Sequence, residues 1–143
     1  MSNSNFLPII VGSALMLAAV SAPANAQEVP NLVGTWSGTI VGGALFGALN
    51  HSEPENEPVF ADRTKVWSLV IEKQDGTGLI GTWSTPTKTE KLTGVIRADN
   101  VSVLLADQDN TFDARLTNQD EMELCALHAG ASTIAVCLRM RRD

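Results

Sequence analysis

Apolar and polar residues alternate along most of the chain, in short runs separated by turn dipeptides. Alternation with a period of two is typical of strands that bury one face, and no segment after residue 26 keeps a helical period over a helical length. We therefore predict an all-β domain of eight antiparallel strands that close in sequence order as an up-and-down (meander) barrel; an open two-sheet sandwich is the alternative. The predicted strands span residues 32–41, 63–73, 77–85, 89–98, 101–107, 111–117, 121–128 and 133–142.

Turn residues between these strands predict how neighbouring strands pair. Gln74-Asp75-Gly76 suits a three-residue loop, while Asp99-Asn100 and Asp109-Asn110 suit two-residue turns. Pairing each strand outward from these turns keeps one apolar parity inside the barrel and places most charges outside.

The last predicted hairpin carries the strongest pairing signal. If Cys125 lies opposite Cys137, then Glu123 lies opposite Arg139 and Glu121 opposite Arg141, and all three pairs share the outer face. Complementary cross-strand pairs of this kind fix a register. We predict a Cys125–Cys137 cross-strand disulfide, with two free thiols as the alternative.

A row of aliphatic residues breaks the rule that the outer face is polar. The turn lengths place Val70 opposite Ile80, Ile80 opposite Val95, and Val95 opposite Leu104, all facing outward. A contiguous exposed apolar strip usually marks a contact surface. It predicts a homodimer, a tetramer or another symmetric oligomer; the alternative is that the row is covered by the long 42–62 loop or tolerated as a narrow stripe.

The first 26 residues differ in composition from the rest, since they contain no Asp, Glu, Lys or Arg. The apolar run 6–20 closes on Ala24-Asn25-Ala26, a small-residue cleavage pattern. We predict that residues 1–26 are a signal peptide, with an uncleaved anchor as the alternative. Residues 27–143 would then form a single periplasmic or secreted domain that has no membrane contact after cleavage.

Charge and composition narrow the class of function. The chain has 16 acidic and 10 basic residues, a net charge of −6, with no basic cluster. This balance argues against binding to nucleic acid or to anionic membranes. Tyr is absent and only two His and two Cys are present, which leaves little material for acid–base or nucleophilic catalysis. We expect a binding protein and not an enzyme.

The long connection at 42–62 crosses one end of the predicted barrel. It is Gly-rich and apolar at first and acidic later, and a connection of this length is usually functional or disordered. Beneath it the predicted rows place an aromatic floor, one inward carboxylate, a mixed-charge rim and an apolar residue of the loop itself. These candidate ligand-binding residues are Trp67, Trp83, Phe112, Asp107, Lys65, Glu90, His128 and Phe46.

Apolar walls with few polar groups are the composition of a small-molecule site. The arrangement predicts a small, mostly apolar ligand at the barrel mouth. The alternative is that the aromatic residues fill the core and that Asp107 caps its own turn. In that case we expect a protein-binding module, such as a periplasmic protease inhibitor, in which the 42–62 loop enters the partner.

Two acidic stretches have some features of cation sites. His51, Glu53, Glu55 and Glu57 alternate with other residues in the loop, and residues 107–113 partly resemble a calcium loop but lack its Gly and terminal Glu. A solvated acidic loop and a hairpin turn are the simpler interpretations. We expect no metal and no cofactor.

Three segments resemble the calycin superfamily and, within it, the avidin-like barrels. They are Leu-Val-Gly-Thr-Trp at 32–36, the hairpin segment 67–84 that ends in Gly-Thr-Trp-Ser, and Lys-Leu-Thr-Gly at 91–94. The resemblance implies an eight-stranded barrel in which Arg142 of the last strand stacks on Trp36 at the closed end. It does not extend to biotin: Gly38 stands where avidins place a polar side chain, Trp83 replaces a tyrosine, and the later tryptophans are missing.

Overall fold

The computed structural model describes residues 28–47 and 55–143. The predicted signal peptide, together with His51 and Glu53 of the acidic loop, lies outside these residues. Nine strands form a single sheet. In chain order they are β1 (Gly34–Gly47), β2 (Glu55–Phe60), β3 (Val66–Asp75), β4 (Gly78–Ser84), β5 (Thr89–Ile96), β6 (Ser102–Ala106), β7 (Thr111–Asn118), β8 (Glu121–His128) and β9 (Thr133–Arg142).

The sheet closes into a barrel because β1 also pairs with β9. From β3 to β9 each strand pairs antiparallel with the next, and β1 pairs with β3. The predicted eight-stranded meander barrel is therefore confirmed, with β2 as an additional strand. No helix among the described residues is long and apolar enough to cross a bilayer.

The additional strand corrects the prediction of one long loop at 42–62. A register shift between Ile40 and Gly42 leaves Val41 out of the β1–β9 ladder, after which β1 continues to Gly47. Beyond Thr39, the last β1 residue that pairs with β3, the side of β1 opposite β9 is taken by β2. The first and last parts of the predicted loop thus form an antiparallel extension at the barrel mouth, the end where β3 begins.

Alternate residues of the barrel strands fill a single core. The largest side chains that are fully buried include Trp36, Trp83, Phe112, Met122 and Met140. The inward parity predicted from the sequence is confirmed on every barrel strand, where the large apolar side chains of that parity are buried in the core.

The predicted register of the last hairpin is confirmed in full. Cys125 pairs with Cys137 and forms the disulfide, Glu123 pairs with Arg139, and Glu121 pairs with Arg141. The Glu121 carboxylate lies 3.2 Å from the Arg141 guanidinium. The disulfide therefore links β8 to β9 on the outer face.

The predicted registers of three other hairpins are wrong by two residues. A β-bulge near Glu72 and a tighter turn put Val70 opposite Thr82. The β4–β5 turn puts Ile80 opposite Thr93, so the predicted row of four aliphatic residues does not exist. Only its Val95–Leu104 pair is confirmed. The other two shifts arise because the β4–β5 and β6–β7 connections are four-residue turns, at 85–88 and 107–110.

The closed end of the barrel is held by Arg142. Its guanidinium stacks over the Trp36 ring, 4.4 Å from the centroid, as the family resemblance implied. It also donates hydrogen bonds to the carbonyl oxygens of Asn31 and Val33, at 2.7 and 3.0 Å. Arg142 thereby ties the segment before β1 across this end of the barrel.

Candidate functional site

The three aromatic residues predicted to line a pocket instead fill the mouth half of the barrel. Trp67, Trp83 and Phe112 are 7%, 1% and 1% exposed. The Trp67 and Trp83 rings meet edge to face at a centroid distance of 5.3 Å, and Phe112 lies 5.0 Å from Trp83. Contacts of this geometry are favourable packing arrangements for aromatic rings. The three residues are therefore placed together as predicted, but as packed core.

Gly38 marks a close approach between β1 and β9. It is paired with Trp67 of β3 on one side and with Met140 of β9 on the other. A Cβ atom at position 38 would lie 2.1 Å from the carbonyl oxygen of Arg139, so the backbone of β9 excludes any side chain there. The position where avidins carry a polar ligand-binding group thus cannot carry one in this backbone.

Buried polar side chains ring the aromatic cluster at the mouth. Thr85, Glu90 and Asn110 are the buried polar or charged residues among those described, and Glu90 is paired with Trp83 across β4 and β5. The Glu90 carboxylate contacts the Lys88 ammonium at 2.5 Å. The hydrogen bond to Glu90 raises the pKa of Lys88 above its usual value, and Asp109, 3.7 Å from the same ammonium, adds to this effect. An ion pair with a buried carboxylate thus lies beside Trp83 at the mouth end of the barrel.

Asp107, predicted as an inward carboxylate, is the first residue of the β6–β7 turn. One carboxylate oxygen accepts hydrogen bonds from the backbone amides of Asp109 and Asn110, at 2.9 and 2.6 Å, and both oxygens accept from the Asn110 side-chain amide. Short acidic side chains commonly bond to their own backbone in this way. The Asp107 carboxylate therefore caps its own turn, which is the alternative that the sequence analysis gave to an inward ligand-binding role.

The remaining predicted site residues separate. His128 is half-buried at the end of β8, and its ring nitrogens contact the carbonyl oxygen of Asp109 and the hydroxyl of Ser132. Lys65 is exposed immediately before β3 and does not border the cavity that Phe46 and His128 border. Phe46 lies on the β1 extension, where together with His128 it borders a cavity.

That cavity, here called the mouth groove, has a volume of about 600 Å³. It runs over the β2, β1, β9 and β8 side of the barrel mouth and is mostly apolar. The side chains that define it are Ala44, Phe46, Pro58, Leu127, His128 and Ala135.

An apolar cross-strand row forms the groove and continues past it. Phe60 pairs with Ala44, Ala44 with Ala135, and Ala135 with Leu127, so four neighbouring strands contribute one residue each. All four face outward; Phe60 is 93% exposed and Leu127 48%. Two large residues thus flank two alanines, which gives a shallow trough with apolar walls.

Most of this surface was not predicted from the sequence. Phe60 and Pro58 lie in the segment expected to be loop, so no partner could be assigned to them. Leu127 lies two residues from Cys125 on the same outward face of β8. This shared face was the one feature of the sequence that indicated an exposed Leu127. Within the described residues no group of three or more His, Cys, Asp or Glu is arranged to hold a metal ion.

Comparison with known proteins gives no family for the chain. No protein-family model, curated protein or solved structure matches it significantly. The candidate site is therefore defined by its geometry.

Proposed function

We propose that the protein is an exported, non-catalytic binding module that docks an apolar segment of a partner protein in the mouth groove. One observation carries the proposal: the barrel interior is packed with Trp67, Trp83 and Phe112, whereas Phe60 and Leu127 stand exposed outside it. Large apolar side chains at the centre of a contact supply most of the energy of protein association. A filled barrel with an ordered strand extension favours the protein partner over a ligand held inside.

The partner would be recognised through side chains and not by strand addition. Val59 and Ala61 direct their amides toward β1, as the Ala61 bond to the Gly43 carbonyl indicates. The other edge of β2 therefore includes Pro58, which has no N–H to offer. Proline on an edge strand blocks pairing with another strand, so the apolar trough is the better docking surface.

A small apolar ligand in the same groove is the second candidate. Its volume of about 600 Å³ falls in the range of roughly 300–1,000 Å³ that is usual for small-molecule sites. Phe46 and His128, which the sequence analysis assigned to a ligand, both line it. The groove is open along its length, however, and an open trough leaves most of a small molecule in water.

Export is supported by the leader-like composition of residues 1–26 and by the disulfide. Disulfides form and persist mainly in oxidising compartments. We accordingly assign the partner to the periplasm or the extracellular medium.

The test is photo-crosslinking in cells that export the protein. A photoreactive phenylalanine analogue is placed at position 127, in the groove, or at position 123, on the same strand and face but outside it. We expect a discrete protein adduct from position 127 that the control lacks, and Phe60→Ser in the same chain should reduce it. Absence of any adduct specific to position 127 would contradict a protein partner.

The small-ligand candidate is tested with Nile red, a neutral apolar dye. Enhanced dye fluorescence that Leu127→Asp removes, without any specific protein adduct, would favour a small ligand in the groove. A specific adduct favours the protein partner whatever the dye response.

A further inference from the structure

The Cys125–Cys137 disulfide lies on the outer face of the barrel, beside the mouth groove. Both cysteines are only half-buried, so the bridge is not sealed in the core. Access is one of the factors that set the rate at which a thiolate attacks a disulfide, and exposed disulfides are the labile ones. We propose that this disulfide captures a cysteine of the partner segment docked in the groove, by reversible thiol–disulfide exchange. The identity of the substrate rests on the proposed function, whereas the reactivity of the disulfide does not.

The disulfide continues the apolar trough by one step along two strands. Leu127 and Ala135, which border the groove, are paired across β8 and β9, and the next pair on the same face is Cys125 with Cys137. Residues two apart on a strand are separated by about 7 Å. An extended segment in the groove can therefore hold a cysteine side chain over the sulfur atoms while its apolar side chains contact Leu127.

The β1 side of Cys137 is open. Cys137 is paired with Gly42, which has no side chain to cover the sulfur atom. A Cβ atom at Gly42 would have no heavy atom of a described residue within 4 Å, its chain neighbours apart. On the far side of β1 the ladder with β3 ends at Thr39 and the ladder with β2 begins at Ala44, so Gly42 lies between them. A thiolate attacks in line with the S–S bond, and because this bond joins β8 to β9, the approach to Cys137 comes over Gly42.

Charge opposes attack on the other sulfur atom. The in-line approach to Cys125 comes from β7, where the paired residue is Asp113, whose side chain is exposed. A thiolate is negatively charged, so the Asp113 carboxylate repels it. Next to Cys137 on the same face of β9 is Arg139, whose guanidinium lies 3.7 Å from the Glu121 carboxylate, so this pair is close to neutral. We therefore expect attack at the Cys137 sulfur.

The exchange is balanced without an outside oxidant or reductant. The partner thiol loses its proton to water, and its thiolate sulfur forms a bond to the Cys137 sulfur. The bond between Cys125 and Cys137 breaks, its electron pair leaves with the Cys125 sulfur, and that thiolate takes a proton from water. Attack of Cys125 on the mixed disulfide reverses these steps and releases the partner. The β8–β9 ladder extends on both sides of the bridge, so it can keep Cys125 opposite Cys137 for the return.

Two neutral peptides, acetyl-Phe-Cys-Leu-amide and acetyl-Ser-Cys-Ser-amide, test the proposal on the purified, oxidised protein. Each is added in large excess, exchange is stopped with N-ethylmaleimide, which blocks free thiols, and peptide mapping by mass spectrometry locates the mixed disulfide. We expect the apolar peptide to react at least about tenfold faster than the polar one, because docking raises the concentration of its thiol beside the bridge. The peptide should be found on Cys137 and the maleimide on Cys125.

Two matched substitutions on β1 test the approach over Gly42. Gly42→Gln places a neutral side chain beside the Cys137 sulfur and should slow both peptides by roughly tenfold through loss of access. Thr35→Gln, at an exposed position of the same strand near the closed end, should leave both rates unchanged. Gly42 does not have a positive φ, so both variants are expected to keep the disulfide and the circular dichroism of the barrel. Leu127→Ser should bring the apolar peptide down to the rate of the polar one.

Four results would each overturn the proposal: no mixed disulfide with either peptide, equal rates for the two peptides, the peptide mainly on Cys125, or rates unchanged by Gly42→Gln. The photo-crosslink from position 127 involves no thiol, so it separates this proposal from the docking function. An adduct without any mixed disulfide would overturn the exchange and leave docking supported. A mixed disulfide that favours the apolar peptide, without an adduct, would contradict the protein partner and leave the exchange supported.

Discussion

Truncation of Trp83 to alanine tests whether the barrel interior is packed core. Trp83 is 1% exposed and lies between Trp67 and Phe112, with ring centroids 5.3 and 5.0 Å away. Because it contacts both rings, the variant loses two aromatic contacts as well as buried apolar area. If the interior were instead a ligand cavity, the same substitution would merely enlarge an existing space.

The expected cost follows from the void that the indole leaves. A void on the order of 100 Å³, at about 24 cal/mol per Å³, costs roughly 2–3 kcal/mol. Each lost aromatic contact adds about 0.5–1.5 kcal/mol. We therefore expect Trp83→Ala to lower the free energy of unfolding by about 4 kcal/mol, which is within the usual range of roughly 3–5 kcal/mol for such truncations.

Urea unfolding followed by far-ultraviolet circular dichroism measures this loss. Phe60→Ala is the matched control: it also removes an aromatic ring, but from a side chain that is 93% exposed, so its effect should stay within about 0.5 kcal/mol. The new void is apolar, so benzene should raise the melting temperature of Trp83→Ala and leave wild type unchanged. A loss below about 1 kcal/mol would refute the packed-core interpretation and would favour a ligand site inside the barrel.

Three further predictions concern the disulfide, the closed end and one turn. Cys125 and Cys137 are 12 residues apart, so replacing both with serine should lower the free energy of unfolding by about 3 kcal/mol, through the larger chain entropy of the unfolded state. The urea midpoint should fall while the circular dichroism of the β-sheet is retained. Loss of that β-sheet signal without urea would contradict the estimate. Arg142→Ala should lower the free energy of unfolding by about 2 kcal/mol, because it loses two hydrogen bonds to carbonyl oxygens and the contact with Trp36. Arg142→Lys should restore little of this stability. Arg141→Ala is the control and should be neutral in the same assay, because the Arg141 side chain is 70% exposed. Hydrogen bonds from the Ser102 hydroxyl and amide and the Val101 amide lower the pKa of Asp99 to about 2. A lowered folded-state pKa stabilises the fold above the unfolded value of about 3.9, so the difference in urea midpoint between wild type and Asp99→Asn should narrow as pH falls from about 4 to 2; a constant difference would contradict this.

Hydrophobic alternation determined which face of each strand is buried but not the height at which strands pair. A slip of two residues leaves every side chain on its own face, so the pattern cannot detect it. The β8–β9 hairpin was predicted correctly because its cysteines and its Glu–Arg pairs exclude other registers. The β3–β4 hairpin has no such pairs, and the bulge near Glu72 shifted the register without changing any buried position.

The mouth was predicted less well than the barrel because it depends on contacts between distant segments. Whether Pro58 and Phe60 form a strand depends on the β1 extension being available to pair with them, and their Pro-rich, acidic surroundings gave no strand signal. Asp107 has the parity of an inward residue, yet at the end of a strand a short carboxylate is better satisfied by its own turn.

The packing of the interior explains why we place the proposed binding surface outside the barrel. Eight strands enclose a space that is just wide enough for side chains to fill or for one small ligand, so the sizes of the inward residues decide between these outcomes. Trp67 is paired with Gly38, Ile71 with Gly81 and Leu105 with Gly94. At Gly94 a Cβ atom would lie 2.3 Å from the Leu105 side chain, which therefore already occupies the space that the glycine leaves. At Gly38 and Gly81 a Cβ atom would lie 2.1 and 1.9 Å from the backbone carbonyl oxygens of Arg139 and Val70, so neighbouring backbone already fills the space beside these glycines. A barrel packed in this way offers a partner its outer face, where the mouth groove exposes apolar residues that the core does not use.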